Sequence, residues 1–363
     1  MTLVKQKNRL SNATNKKDVV VMKKITAYFA DWHLTKSSAA ILALVNPLKG
    51  LICFDLKNFN ETFITHKESV PSEGQLLFFQ VLPEIKFLRN NASRITWVPM
   101  LDDTPGNNDP FWMSFPKEIR VVSYSSIIHQ RAKKFGIKSL YVKFFLNPND
   151  FQQANWSDGL NIYYWNRRNL FSQKFIINFI KKSNAKKFYY RSDLDPVIKD
   201  VKPFTLPEKI GRTLVKSLGW SQSREEYLST IKDVNVFIAP RECEGIGITF
   251  LEFMAKGCAV FAYHNPTMSE YINDSHNGYL FSKSSDLFHH KLCSYVQGKL
   301  SALAYKFTGN TNNLGNQVLH FQNWRRIDFS GLERIGMQSR FDHENGYHHW
   351  KRNLSQLAEF ISG

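Results

Sequence analysis

Residues 236–262 read Val-Phe-Ile-Ala-Pro-Arg-Glu-Cys-Glu-Gly-Ile-Gly-Ile-Thr-Phe-Leu-Glu-Phe-Met-Ala-Lys-Gly-Cys-Ala-Val-Phe-Ala. An apolar strand, Val236–Ala239, meets Pro240 and then the acidic glycine turn Glu244-Gly-Ile-Gly247. A helix from about Ile248 to Lys256 follows, Gly257 ends it, and a second strand occupies Ala259–Ala262. The unit is strand, turn, helix, strand, with two glycines in the first turn and Glu252 one turn inside the helix. Glycine lets backbone approach a ligand, and N–H groups at a helix start attract an anion, so the unit suits a phosphate. Glu252 is within reach of a neighbouring pair of hydroxyls. A buried strand-helix turn carrying two solvated glutamates is the plain structural alternative.

Outward from this stretch, the 363 residues are enough for two domains, each with its own core. Hydrophobic residues make up 43% and aromatic residues 14%, as in a packed globular chain. The net charge is +17, from 48 basic and 31 acidic residues, which admits a polyanionic partner or an anionic surface. The first 24 residues hold seven Lys or Arg against Asp18 alone, and 1–18 is expected to be a flexible basic tail. Cys53, Cys243, Cys258 and Cys293 show neither metal-ligand spacing nor the density of a disulfide scaffold, which points to reduced thiols and a cytoplasmic protein. Ala39–Val45 is far too short to span a bilayer, so any membrane contact is expected to be peripheral.

The chain before the central stretch alternates short apolar strands with helical segments, the pattern of a doubly wound parallel sheet. Strands are expected at Val19–Ala30, Gly50–Leu56, Gln75–Leu82, Ile95–Met100, Glu118–Ser123 and Ser139–Phe145. A helix is expected over Lys36–Val45, with Thr35 as its cap. Asp31 and His33 follow the first strand, and Asp102 and Asp103 open a turn-rich run after the fourth, where open α/β sheets place their sites. Leu146-Asn-Pro-Asn-Asp-Phe151 breaks the pattern, which sets a hinge at about 146–157. Strands resume at Leu160–Trp165, Lys186–Tyr190 and Leu214–Leu218. Arg167, Arg168 and Lys174 form a basic strand-to-helix loop, and Ser223 with Glu226 has the spacing of a capping box. Ser282–Leu300 reads as helix, Asn310–Asn316 as loop, and an amphipathic helix starting at Gly346 ends the chain.

The spacing Glu244-x7-Glu252, together with Pro240, Gly245, Gly247, Ala255, Gly257, Val260, Glu270 and Gly278, closely resembles the signature of retaining glycosyltransferases of family 4. That group has the two-lobed GT-B fold and includes lipopolysaccharide and capsule glycosyltransferases. The resemblance implies two Rossmann-like lobes with a cleft between them: an acceptor lobe at 19–150, a donor lobe at 157–340 and a helix at 341–363 crossing back. It implies transfer from a nucleoside diphosphate sugar to a saccharide hydroxyl, without cofactor or metal. Glu252 would bind the ribose, Glu244 would lie near the transferred sugar, and Arg168 and Lys174 would grip the diphosphate, with Arg167 the alternative cation. Gly245, Ile246, Gly247 and Ile248 would offer backbone N–H groups. Two departures stand on the acceptor side: the family's glycine pair after the first strand is missing, and Asp102 and Asp103 occupy the place of a common histidine. Asp31, His33 and Asp102 are therefore the acceptor-side candidates, with Asp103 nearer the chemistry.

Charge and lobes together suggest a lipid-linked saccharide acceptor at an anionic membrane surface, in surface-polysaccharide or lipopolysaccharide assembly. Competing readings are a GT-B nucleotide-sugar epimerase and a basic nucleic-acid or membrane-binding protein of inactive transferase fold. Basic residues outside the tail are dispersed and no nucleic-acid motif is present, so no nucleic acid is expected.

Overall fold

The computed structural model describes residues 23–35, 40–66, 68–104, 108–168, 171–194, 202–281 and 327–363. The tail 1–18, the first residues expected for the entry strand, the first residues of the expected Lys36–Val45 helix, the 282–300 helix, the 310–316 loop and Cys293 lie outside them.

Apolar runs, buried on both faces in the central strands, build two mainly parallel sheets. In the first lobe these are β1 (Lys23–Phe29), β2 (Ile52–Asn58), β3 (Gln75–Phe79), β4 (Ile95–Val98), β5 (Arg120–Ser123) and β6 (Lys138–Tyr141), in the order β2-β1-β3-β4-β5-β6. Every pairing is parallel. β4 and β5 are buried throughout, whereas the edge strand β2 buries only its first residue, Ile52. The chain steps outward from β1 to β2 and then returns to β3 on the other side, so the order reverses between β1 and β3.

The second lobe holds β7 (Asn161–Trp165), β8 (Lys187–Arg191), β9 (Lys209–Ile210), β10 (Thr213–Leu218), β11 (Val236–Ile238), β12 (Ala259–Tyr263) and β13 (Tyr279–Phe281). Their order is β13-β12-β11-β7-β8-β10-β9, antiparallel only at β9-β10. Here the reversal lies between β7 and β11. The two residues of β9 are too short to leave a periodic signal, which is why the sequence does not announce them.

Between the lobes, Asn147 Oδ1 accepts from Asn149 N and starts a single helical turn, Pro148–Asp150. At the expected capping box, Ser223 Oγ accepts from Glu226 N, but Glu226 Oε2 reaches one residue further back, to Gln222 N at 2.7 Å. The helix following β1 is Asp31–Thr35, so it begins before the expected cap at Thr35.

The final helix starts at Leu332 rather than Gly346, runs to Arg352 and resumes as Leu354–Ser362. Its buried face carries Gly336, Ser339 and His343 between Ile335 and Trp350, and small and polar residues hide the apolar period. Trp350 packs edge-on against Phe144 of the first lobe at 5.7 Å. The last turn reaches β4, where Thr96 Oγ1 bonds to Ile361 O. One continuous core therefore joins both lobes, while a second, around Trp97, Trp112 and Phe115, lies on the other side of the first sheet. Among the described residues no helix is long and apolar enough to cross a membrane.

Candidate active site

In open α/β sheets, ligands bind beyond the carboxyl ends of the strands where the strand order reverses. In the second lobe that crevice lies at the ends of β7 and β11, which are neighbours in register, Ile238 beside Tyr164. The loop after β7 brings Asn166, Arg167 and Arg168, and the loop after β11 brings the turn from Arg241 to Gly247.

The helix Ile248–Lys256 has the expected bounds. Gly247, at its N-cap, has φ +76°, and a β-carbon there would fall 1.9 Å from the Phe250 ring. Any other residue would be strained and would collide. Gly245 serves a second need, close approach: a β-carbon would stand 2.7 Å from Asp102 Oδ1 of the other lobe. Thr267 Oγ1, fully buried, lies 2.7 Å from Glu244 O and 3.1 Å from Gly245 O, pinning the two carbonyls inward. N–H groups of the first helical turn have no intrahelical acceptor, so Gly247, Ile248 and the residues after them offer an anion site.

Glu244 and Glu252 are both buried but separate. Glu244 Oε2 faces Arg241 Nη1 at 3.2 Å. Glu252 accepts from Arg224 Nη1 at 2.7 Å and from Tyr227 OH at 2.9 Å, one bond to each oxygen. Burial raises its pKa and Arg224 opposes the rise. Each Glu252 oxygen can accept a second hydrogen bond. Cys243, next to Glu244, has its thiol pushed up to about 12, first by burial and then by the charges of Asp102 and Glu244. It stays protonated and is no nucleophile at neutral pH.

On the basic loop, Arg167 lies over the Trp165 ring at 4.9 Å and Arg168 is half-buried. Lys174 is exposed in the first turn of the helix Gln173–Ser183, capped by Ser172. A cation at a helix N-terminus opposes the helix dipole, a placement that favours a shared anion. Beside this loop, Arg191 is sandwiched between Trp165 and Trp220, 4.2 Å from each ring, and held by Asp193 at 2.8 Å. Trp220 remains 60% exposed. The sequence reading missed Arg191 and Trp220, which single residues at strand ends do not advertise.

The first lobe's reversal lies at the ends of β1 and β3. Asp31 accepts from Asn58 Nδ2, and buried His33 donates from Nε2 to Gln80 Oε1 at 2.7 Å. Gln80 Nε2 in turn donates to Asp103 Oδ2 at 2.7 Å. His33 thus joins Asp103 through Gln80, which the sequence reading also missed. Burial lowers the His33 pKa, so the ring is neutral. Asp102 turns the opposite way from Asp103, across the cleft, and takes Arg241 Nη1 at 2.7 Å. Arg241 was not anticipated as a site residue, although its place three before Glu244 was the available signal. Glu270 makes a second interlobe contact, accepting from Ser126 N at 2.9 and 3.1 Å, Ser126 Oγ at 2.9 Å, Ser125 Oγ at 3.2 Å and Tyr141 OH.

The profile of the family described as glycosyl transferases group 1 matches residues 213–306, which include the turn and its helix. HepE from Anabaena, solved in complex with UDP and glucose, superposes with a TM-score of 0.55 at 12% identity, over 94% of this chain and 99% of that one. Sucrose-phosphate synthase from Thermosynechococcus elongatus gives 0.58 at 10% identity, over 93% and 98%. No curated protein matches by sequence. Fold and matched segment together define the class: a two-lobed GT-B fold in which residues 213–306 match the group 1 glycosyltransferase model.

Proposed function

We propose that this protein transfers a sugar, with retention at the anomeric carbon, from a nucleoside diphosphate sugar to a saccharide hydroxyl. The observation that carries the reading is the group 1 segment, whose glycine turn stands at the second lobe's switch crevice with Asp102 facing it. A UDP-sugar is the donor favoured by the likeness to HepE, whose complex holds UDP and glucose.

The diphosphate would lie on the N–H groups at Gly245 to Ile248, with Arg168 and Lys174 (Arg167 the alternative) neutralising charge as the anomeric C–O bond breaks. The acceptor oxygen forms the new bond on the same face, and its proton passes to the leaving phosphate. In this scheme those cations and the helix start take the place of a metal. The free lone pairs of Glu252 would accept the ribose hydroxyls, and Glu244 would orient the transferred sugar. The exposed face of Trp220 suits the base, a stacking contact worth about 1–3 kcal/mol. The acceptor would enter over Asp31, His33 and Asp103. The +17 charge supports a lipid-linked acceptor at an anionic membrane, in surface-glycan assembly.

A thermal-shift panel of UDP-, GDP- and dTDP-sugars tests the reading, because a ligand bound only by the folded state raises Tm. A UDP-sugar should shift Tm the most, and a flat panel would sink the proposal. Donor epimerised in the absence of acceptor would replace transfer by epimerisation. Removing 1–18 should weaken flotation with anionic vesicles, and unchanged flotation would remove the membrane part.

A further inference from the structure

Arg241 stands in the middle of the cleft. Its Nη1 lies 2.7 Å from Asp102 Oδ2 of the first lobe and 3.2 Å from Glu244 Oε2 of its own lobe. Only 12% of the Arg241 side chain is exposed, and the two carboxylates are nearly as enclosed. Without the guanidinium, two acids would face each other across a narrow gap, in a field already negative enough to help hold the Cys243 thiol protonated. A planar guanidinium can serve both at once, which a lysine ammonium does poorly. Glu270 ties the lobes elsewhere, through Ser126, so the Asp102 contact is a separate tie, made at the candidate donor turn itself. Asp102 Oδ1 is buried with no hydrogen-bond partner among the described residues.

We infer that Arg241 is a positioning residue that couples closure of the cleft to the orientation of Glu244. In the open form Arg241 has the acid of its own lobe. On closure Asp102 draws the guanidinium to 2.7 Å, and Glu244 is left with the longer share of it. The same movement packs the unpartnered Asp102 Oδ1 against Gly245 of the candidate donor turn. The role in catalysis rests on the proposed transferase reading, whereas the closure itself does not.

The test uses the full chain with Asp102→Arg, Arg241→Asp, the double exchange and Arg241→Lys. Small-angle scattering of the ligand-free proteins reads closure, and kcat and donor KM are read with the UDP-sugar that shifts Tm most. Each single charge reversal should enlarge the radius of gyration and lower kcat on the order of 100-fold, the usual consequence of a misplaced group. The double exchange should close the cleft again but leave kcat low, because Glu244 then faces a carboxylate at position 241. Arg241→Lys should keep Tm near that of the parent while losing kcat. Unchanged dimensions in both single variants would overturn the coupling even if no nucleotide sugar binds. Parental kcat in the double exchange or in Arg241→Lys would overturn the positioning of Glu244.

Discussion

Gly247 in the second lobe and Gln80 in the first occupy the same unusual backbone region, φ +76° and +67°, each beyond a strand that borders its sheet's point of reversal. One sheet meets the demand with glycine and the other with a long amide. At Gly247 the backbone itself is the surface proposed to hold the donor, and a side chain would strike Phe250. At Gln80 the side chain is the functional part, since its two ends hold His33 and Asp103, and the left-handed conformation is tolerated at a cost of about 1 kcal/mol or more. The edge proposed for the donor is thus written in main chain and the edge proposed for the acceptor in side chains drawn from separate strands.

That contrast can be broken by exchange. Gly247→Val should be the most damaging change, combining left-handed strain with overpacking, for a loss of about 2–5 kcal/mol in urea unfolding. Loss under 1 kcal/mol would show that the turn relaxes and that its backbone is not fixed. A second measurement asks whether the two edges belong to one folded unit. His343, on the helix that joins the lobes, is buried against Leu146 O, and burial pulls its pKa down to about 4. The unfolded chain takes up this proton near pH 6.5 and the folded chain does not. Stability should therefore fall as pH drops from about 6.5 to 4, by up to about 3 kcal/mol, and level off below. His343→Gln should flatten that slope, and a single unfolding transition in both proteins is expected. Two transitions would separate the lobes.

Smaller effects sharpen the comparison. Trp220→Ala should raise donor KM about 10-fold, a stacking loss of roughly 1–3 kcal/mol, with Tm unchanged. An unaltered KM would move the base away from Trp220. Gln80→Gly should leave stability within about 1 kcal/mol of the parent, because relief of the backbone offsets two lost hydrogen bonds. Its mark should instead be a higher acceptor KM, and a loss of several kcal/mol would show that the His33 link is structural.

The same contrast explains what was legible in the sequence. The Gly245, Gly247 and Gly257 spacing reveals the turn and the bounds of its helix because local backbone demands are written locally. The strands of both sheets were legible as apolar runs, apart from the short β9 and β13 of the second sheet. The His33-Gln80-Asp103 chain was not, since its members meet only after β1, β3 and β4 are laid side by side. Asp102 and Asp103 were visible as a pair, but adjacent residues in a turn diverge, and nothing in the sequence says which faces the other lobe. Arg241 was visible inside the turn, yet its partner Asp102 lies 139 residues away. The long joining helix was legible only in its second half, where Trp350, Leu354 and Leu357 restore an apolar stripe.

Glu270 has a consequence for the order in which the molecule is made. The helix Ser126–Lys134 belongs to the first lobe, but the carboxylate that receives its leading N–H comes 144 residues later. At about 5–20 residues per second, that helix waits roughly 7–30 s on the ribosome for its cap. The helix Leu354–Ser362, which packs against β3 and β5, arrives later still. The lobe synthesised first is therefore the one completed last, and a chain cut at the hinge would leave it with an uncapped helix and an uncovered apolar sheet face.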